Sequence, residues 1–130
     1  MPFNLKEEFV IHAESQLGAG LPDSYRKSMM RSNGGEIAAE DDDWFLYPIA
    51  DTSDRKRLAR SCNSIVAETE AHKAWPNFPA HAVAIGNNGC GDLLVLLKAE
   101  KTFAPAVYAW RHEGGQMSKI ADDFSDLDKL

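Results

Sequence analysis

The chain has 130 residues, 44 % of them hydrophobic, and a formal net charge of −6. That length and apolar content suit one domain with a single core and exclude a disordered chain. The acid excess argues against direct nucleic-acid binding, which needs clustered Lys and Arg, and fits either plain solubility or a basic partner.

Leu5, Phe9, Ala13 and Leu17 recur at helical spacing, with Lys6, Glu7, Glu8 and Glu14 free for a wet face, so the pattern predicts a helix over 5–17. Gly18-Ala19-Gly20 ends it, and Pro22 stands where a second helix can start. Tyr25 and Met29, four apart, face the core from that helix, and Asn33-Gly34-Gly35 stops it with left-handed backbone.

Glu36 to Asp43 reads as a solvated acidic loop, followed by a strand at Trp44-Phe45-Leu46-Tyr47. Ser53 or Asp54 can cap a central helix running to about Lys73, with Leu58, Cys62, Ile65, Val66 and Thr69 as its inner stripe. Arg55, Lys56, Arg57 and Arg60 crowd its first half, where positive charge opposes the helix dipole, and the acidic loop is their expected partner. Trp75-Pro76-Asn77-Phe78-Pro79 breaks this helix.

Strands are expected near 82–86, 92–98 and 106–111, with a short one at Met117 to Ile120 and a closing helix over Asp122 to Leu130. Val107 and Ala109 alternate with Tyr108 and Trp110, all apolar, so that strand is buried on both faces. Helices, an antiparallel meander and a last helix make an α+β domain. The reading is one domain over 1–130, with N-terminal helices and a central helix packed on the sheet.

The segment Asn87-Asn88-Gly89-Cys90-Gly91-Asp92 between two apolar runs reads as a tight reversal. Gly86 to Gly91 has the opening spacing of a phosphate loop, but Asp92 stands where the lysine belongs and would repel phosphate. Cys90 has glycines adjacent to it, unlike a nucleophile elbow, and reads as a small buried hydrophobe. Asp92 reads as a cap accepting N–H groups of its own turn; the alternative is a general acid, base or metal ligand. His112-Glu113 lacks the second histidine of a zinc helix, Asp41-Asp42-Asp43 lacks the EF-hand alternation, and no Cys-x-x-Cys pair exists, so neither metal nor cofactor is expected.

Cys62 and Cys90 form no disulfide framework, the N-terminus has no apolar signal core, and the run Leu93 to Leu97 is far short of a membrane span. A reduced, cytoplasmic protein is expected, with no membrane partner. Of the larger aromatics Trp44, Tyr47, Trp75, Tyr108 and Trp110, most belong to the core, and Trp75 is the one expected to be partly exposed.

These blocks together resemble the SUKH superfamily, which includes fungal cell-wall synthesis regulators and many bacterial immunity proteins. Leu21-Pro22-Asp23-Ser24-Tyr25 and Asn33-Gly34-Gly35 resemble its opening. Ala84-Ile85-Gly86 and Asn88-Gly89-Cys90-Gly91-Asp92 resemble its central turn, Val107 to Glu113 its aromatic strand, and Ile120-Ala121-Asp122-Asp123-Phe124 its close. Glu36 to Asp43 departs from the pattern.

The resemblance implies helices on an antiparallel sheet and a binding module rather than an enzyme, here an immunity protein neutralising a basic toxin such as a nuclease. Its glycines and Asn33 are then scaffold, and the partner surface is expected at Glu36, Glu40, Asp41, Asp42, Asp43 and Trp75. Two alternatives stand beside it: a regulatory module with no toxin, and an enzyme using Asp92, His112 or Glu113 brought together in a cleft.

Overall fold

A computed structural model describes residues 3–39 and 41–130. The chain opens with α1 (Glu7–Leu17) and α2 (Asp23–Arg31). Gly18 closes α1 in the left-handed region at φ 75°, its N–H donating to the Glu14 carbonyl at 2.9 Å. Pro22 precedes α2 as its N-cap residue, and Tyr25 and Met29 face inward, both fully buried.

Gly34 and Gly35 do not themselves stop α2. The helix ends at Ser32 in extended backbone, and the two glycines, at φ 108° and 110°, turn the chain into β1 (Gly35–Ala39). Asn33 locks this corner: its amide donates to the Ile49 carbonyl and its oxygen accepts the Ile49 N–H, each at 2.8 Å. One side chain thus imitates a strand partner for buried backbone.

The expected acidic loop is instead a hairpin, β1 paired antiparallel with β2 (Asp42–Leu46). Ile37 sits opposite Trp44 and both are fully buried, so burial of one face overrides the acids on the other. Asp41 takes φ 60° in the connection, and Trp44 Nε1 donates to the Ala39 carbonyl at 3.2 Å.

The single central helix is in fact two, α3 (Arg55–Arg60) and α4 (Ile65–His72). Ser61 divides them: its hydroxyl donates to the Arg57 carbonyl at 2.7 Å and accepts the Asp51 N–H at 2.8 Å, which draws the chain off the helical path. Ser64 then caps α4 through the Ala67 N–H, as Asp54 caps α3 through Arg57. In consequence Leu58 and Cys62, expected in the inner stripe, are exposed, while Ile65 and Thr69 are buried.

The remaining strands are β3 (Ala82–Asn87), β4 (Leu93–Ala99), β5 (Thr102–Phe103), β6 (Val107–Trp110) and β7 (Met117–Ala121). The antiparallel sheet runs β1-β2-β3-β4-β6-β7, with β5 paired to the end of β4. The β3–β4 register shifts between Ala84 and Gly86, and there the buried Thr69 hydroxyl of α4 accepts the Ala84 N–H at 2.8 Å. A Cβ on Gly86 would lie 2.8 Å from the Phe45 carbonyl oxygen, so only glycine lets β2 and β3 approach at this point.

The expected closing helix is reduced to one 3-10 turn, Phe124–Asp126. Asp123 takes both the N–H and hydroxyl of Ser125, which favours a turn over a helix. The chain then runs along β1: Lys129 bridges Ile37, and the Leu130 N–H donates to the Glu36 carbonyl at 2.8 Å. Phe124 packs edge-on against Tyr25, their ring centres 5.1 Å apart. The core is one cluster in which Trp44, Trp110, Tyr25 and Met29 are the largest fully buried side chains. In β6, Val107, Ala109 and Trp110 are buried and Tyr108 half-buried.

Candidate functional site

The polar residues that sequence reading singled out fall into two places. One is the β3–β4 turn with the end of β6; the other is the β1–β2 hairpin.

In the turn, Asn87 Oδ1 accepts the Gly89 N–H at 2.9 Å, and Asn88 Oδ1 accepts the N–H groups of Cys90 and Asp92 at 2.9 and 3.3 Å. Gly89 and Gly91 hold φ 80° and 96°. The asparagines therefore satisfy their own loop. Cys90 projects outward and is exposed, contrary to the expectation of a buried side chain.

Asp92 does not cap the N–H groups of its own turn. Its Oδ1 accepts from the His112 backbone N–H at 3.1 Å and contacts His112 Nδ1 at 2.8 Å. Its Oδ2 accepts from Arg111 at 3.0 Å and from the Asn88 amide at 3.1 Å. A carboxylate has about four lone-pair sites, and here all are taken. Burial alone would raise the Asp92 pKa, but the His112, Arg111 and Asn88 hydrogen bonds outweigh it and hold the carboxyl down at about 2.

Arg111 Nη1 is shared with Asp42 Oδ2 at 3.1 Å, and its guanidinium lies 5.5 Å from the centre of the Trp44 ring. Asp42, Asp92 and Arg111 thus pin together β2, the β3–β4 turn and β6. Gly91 makes room for this arrangement: a Cβ there would lie 3.0 Å from His112 Nδ1.

Asp92 and His112 come within hydrogen-bond reach, as an enzyme would require, beside a depression of about 490 Å³ that Cys90, Glu113 and Gln116 also line. Glu113 does not join them; its side chain is 90 % exposed and 3.9 Å from His112 Nε2. An aspartate held at about 2 and saturated with donors is a poor proton acceptor near neutral pH. No group of three or more His, Cys, Asp or Glu among the described residues could hold a metal ion.

The acidic residues divide by strand alternation. Asp42 is drawn into the Arg111 pair, whereas Glu36, Asp41 and Asp43 are exposed and carry no side-chain hydrogen bond or ion pair among the described residues. Glu40 lies outside the described residues. The basic segment was expected to neutralise this acidic stretch. Arg57 instead pairs with Asp51 at 3.3 Å and donates to the Asn4 carbonyl at 2.8 Å. Arg57 and Arg60 lie 4.5 and 5.0 Å from the centre of the Phe3 ring.

Trp75 is 42 % exposed, its ring 5.0 Å from His72 and 6.4 Å from Trp110. Leu21, Pro22, Tyr25 and Trp110 are buried, and with Asn33, Gly34 and Gly35 they shape the core and the turn into β1. Sequence reasoning missed Phe45, 46 % exposed on β2, and Arg111, the hub of the ion pairs. The alternation Asp43-Trp44-Phe45-Leu46 carried the signal for Phe45; nothing local marked Arg111.

No helix among the described residues is long and apolar enough to cross a membrane. Residues 4–128 match the model of the SMI1 / KNR4 family (SUKH-1). No curated protein matches the chain.

Proposed function

The chain belongs to the SMI1 / KNR4 family (SUKH-1), and from that premise we propose that it is a non-enzymatic protein-binding module, an immunity protein that neutralises a basic toxin. The toxin class that suits it is a nuclease, whose nucleic-acid-holding surface is basic and complementary to a chain of net charge −6.

The observation that carries this reading is the division of the carboxylates. Asp92 and Asp42, which could do chemistry, are spent on Arg111, His112 and Asn88 inside the molecule. Glu36, Asp41 and Asp43 remain exposed, with no side-chain hydrogen bond or ion pair among the described residues. Exposed charge of one sign speeds encounter with an opposite surface and selects among partners. Trp75, at the end of the helical layer, adds a partly exposed aromatic of the kind that anchors interfaces.

The test is affinity capture at low salt, followed by a rescue assay with the captured protein. A stoichiometric basic partner that kills cells when expressed alone, and spares them when this chain is co-expressed, is the expected result. A stoichiometric partner whose activity is unchanged by equimolar protein refutes neutralisation.

A further inference from the structure

The β1–β2 register places Glu36 directly opposite Phe45 and Ala38 directly opposite Asp43. Directly opposed residues of an antiparallel pair point to the same side, as do residues two apart on one strand. Glu36, Ala38, Asp43 and Phe45 therefore share one face, and all four are exposed. The other face of the hairpin carries Ile37 and Trp44, both fully buried.

Phe45 is 46 % exposed on this outward face, with Glu36 of β1 on one side and Asn87 of β3 on the other. Glu36 lies across from it at the cross-strand Cβ spacing of about 5 Å, and Asp43 two residues along the same strand at about 7 Å. Ala38 leaves the floor between them low. An exposed aromatic ring flanked by two carboxylates that have no partner among the described residues matches the dimensions and charge of a guanidinium or ammonium group on its alkyl stem. The ring face attracts the cation, and each carboxylate can accept its hydrogen bonds.

We infer that this face of the hairpin is the docking surface for the basic partner, seating an arginine or lysine side chain on Phe45 between Glu36 and Asp43. The inference rests on the partner being basic, as proposed above, and narrows where it binds. Asp42, grouped by sequence with these acids, takes no part because Arg111 already holds it.

The test uses the full chain and a short arginine–glycine repeat peptide, followed by NMR at low salt. The peptide is expected to shift the amides of Glu36, Ala38, Asp43 and Phe45. Phe45→Ala and Phe45→Leu should each weaken binding by about threefold, through loss of the ring rather than of bulk. Glu36→Gln with Asp43→Asn should weaken it by about three- to tenfold. Glu8→Gln with Glu100→Gln, exposed acids elsewhere, should leave it unchanged. The spectrum of each free variant verifies that it is folded. Binding that maps away from the hairpin, or that survives both Phe45 variants, overturns this assignment while leaving the basic-partner reading standing. No binding anywhere at low salt removes both.

Discussion

Replacing Asp92 with asparagine keeps its shape and removes its charge. Asn can still accept through one oxygen, but its amide then points donors at Arg111 or at the His112 N–H. The carboxyl sits at about 2 in the fold against 3.8 ordinarily, which amounts to about 2–3 kcal/mol of linkage at neutral pH. The side chain is 14 % exposed, so solvent screens little of this, and Arg111 keeps Asp42 as a second partner. A loss of about 2–3 kcal/mol is expected for Asp92→Asn, in line with the range for charge-assisted hydrogen bonds. In a domain of this size that lowers Tm by about 6–12 °C.

The assay is denaturant unfolding across pH, followed by the midpoint at constant slope. The sign is set by the depressed pKa. The Asp92 contribution is complete above about pH 4 and is lost as pH falls through about 2, because the unfolded chain takes up the proton first. Wild type should therefore lose stability over that window more steeply than Asp92→Asn, and the two should converge at the acid end. A variant within about 0.5 kcal/mol of wild type at pH 7, or one with the same acid slope, would refute the clamp.

Gly86→Ala puts a Cβ 2.8 Å from the Phe45 carbonyl, a backbone clash that no rotamer relieves, and should cost about 2 kcal/mol or more by thermal melt. Asn33→Ala orphans the Ile49 N–H and carbonyl together and should cost about 2–4 kcal/mol, with faster hydrogen exchange at Ile49 as its signature. Lys129 is pulled down to about 8 by burial, with Arg31 adding to it, although its ammonium donates to Ser28 and to the Ser32 carbonyl at the end of α2. The unfolded chain then holds that proton to higher pH, so stability should rise from about pH 8 towards pH 10, and Lys129→Met should abolish the rise. Tyr25 and Tyr47, pushed up by burial, set the upper limit of that window, because they oppose it once unfolded tyrosines ionise.

Periodicity and turn chemistry were enough to place α1, α2, the strands β3, β4, β6 and β7 and the α+β class, but not the two-residue β5. In each of those placed the local pattern and the tertiary outcome agree, as with Tyr25 and Met29 four apart on a buried stripe. The glycine-rich turn was also legible, because Asn87 and Asn88 satisfy their own loop. The hairpin at Glu36 to Asp43 was hidden by its acids, since the apolar residues that make it a strand pair, Ile37 and Trp44, belong to its other face.

Only the fold could decide the rest. The central helix divides because Ser61 finds Asp51, ten residues earlier. The closing helix gives way because Lys129 and Leu130 find β1. Asp92 leaves its own turn for Arg111 and His112, and by taking Arg111 as well, Asp42 parts from the acids beside it. A sequence determines by itself whatever neighbouring residues settle between them, namely helix stripes, caps and turn residues. Which carboxylates are spent inside and which are left exposed depends on contacts across 19 to 69 residues, and such contacts exist only once the sheet has brought the strands together.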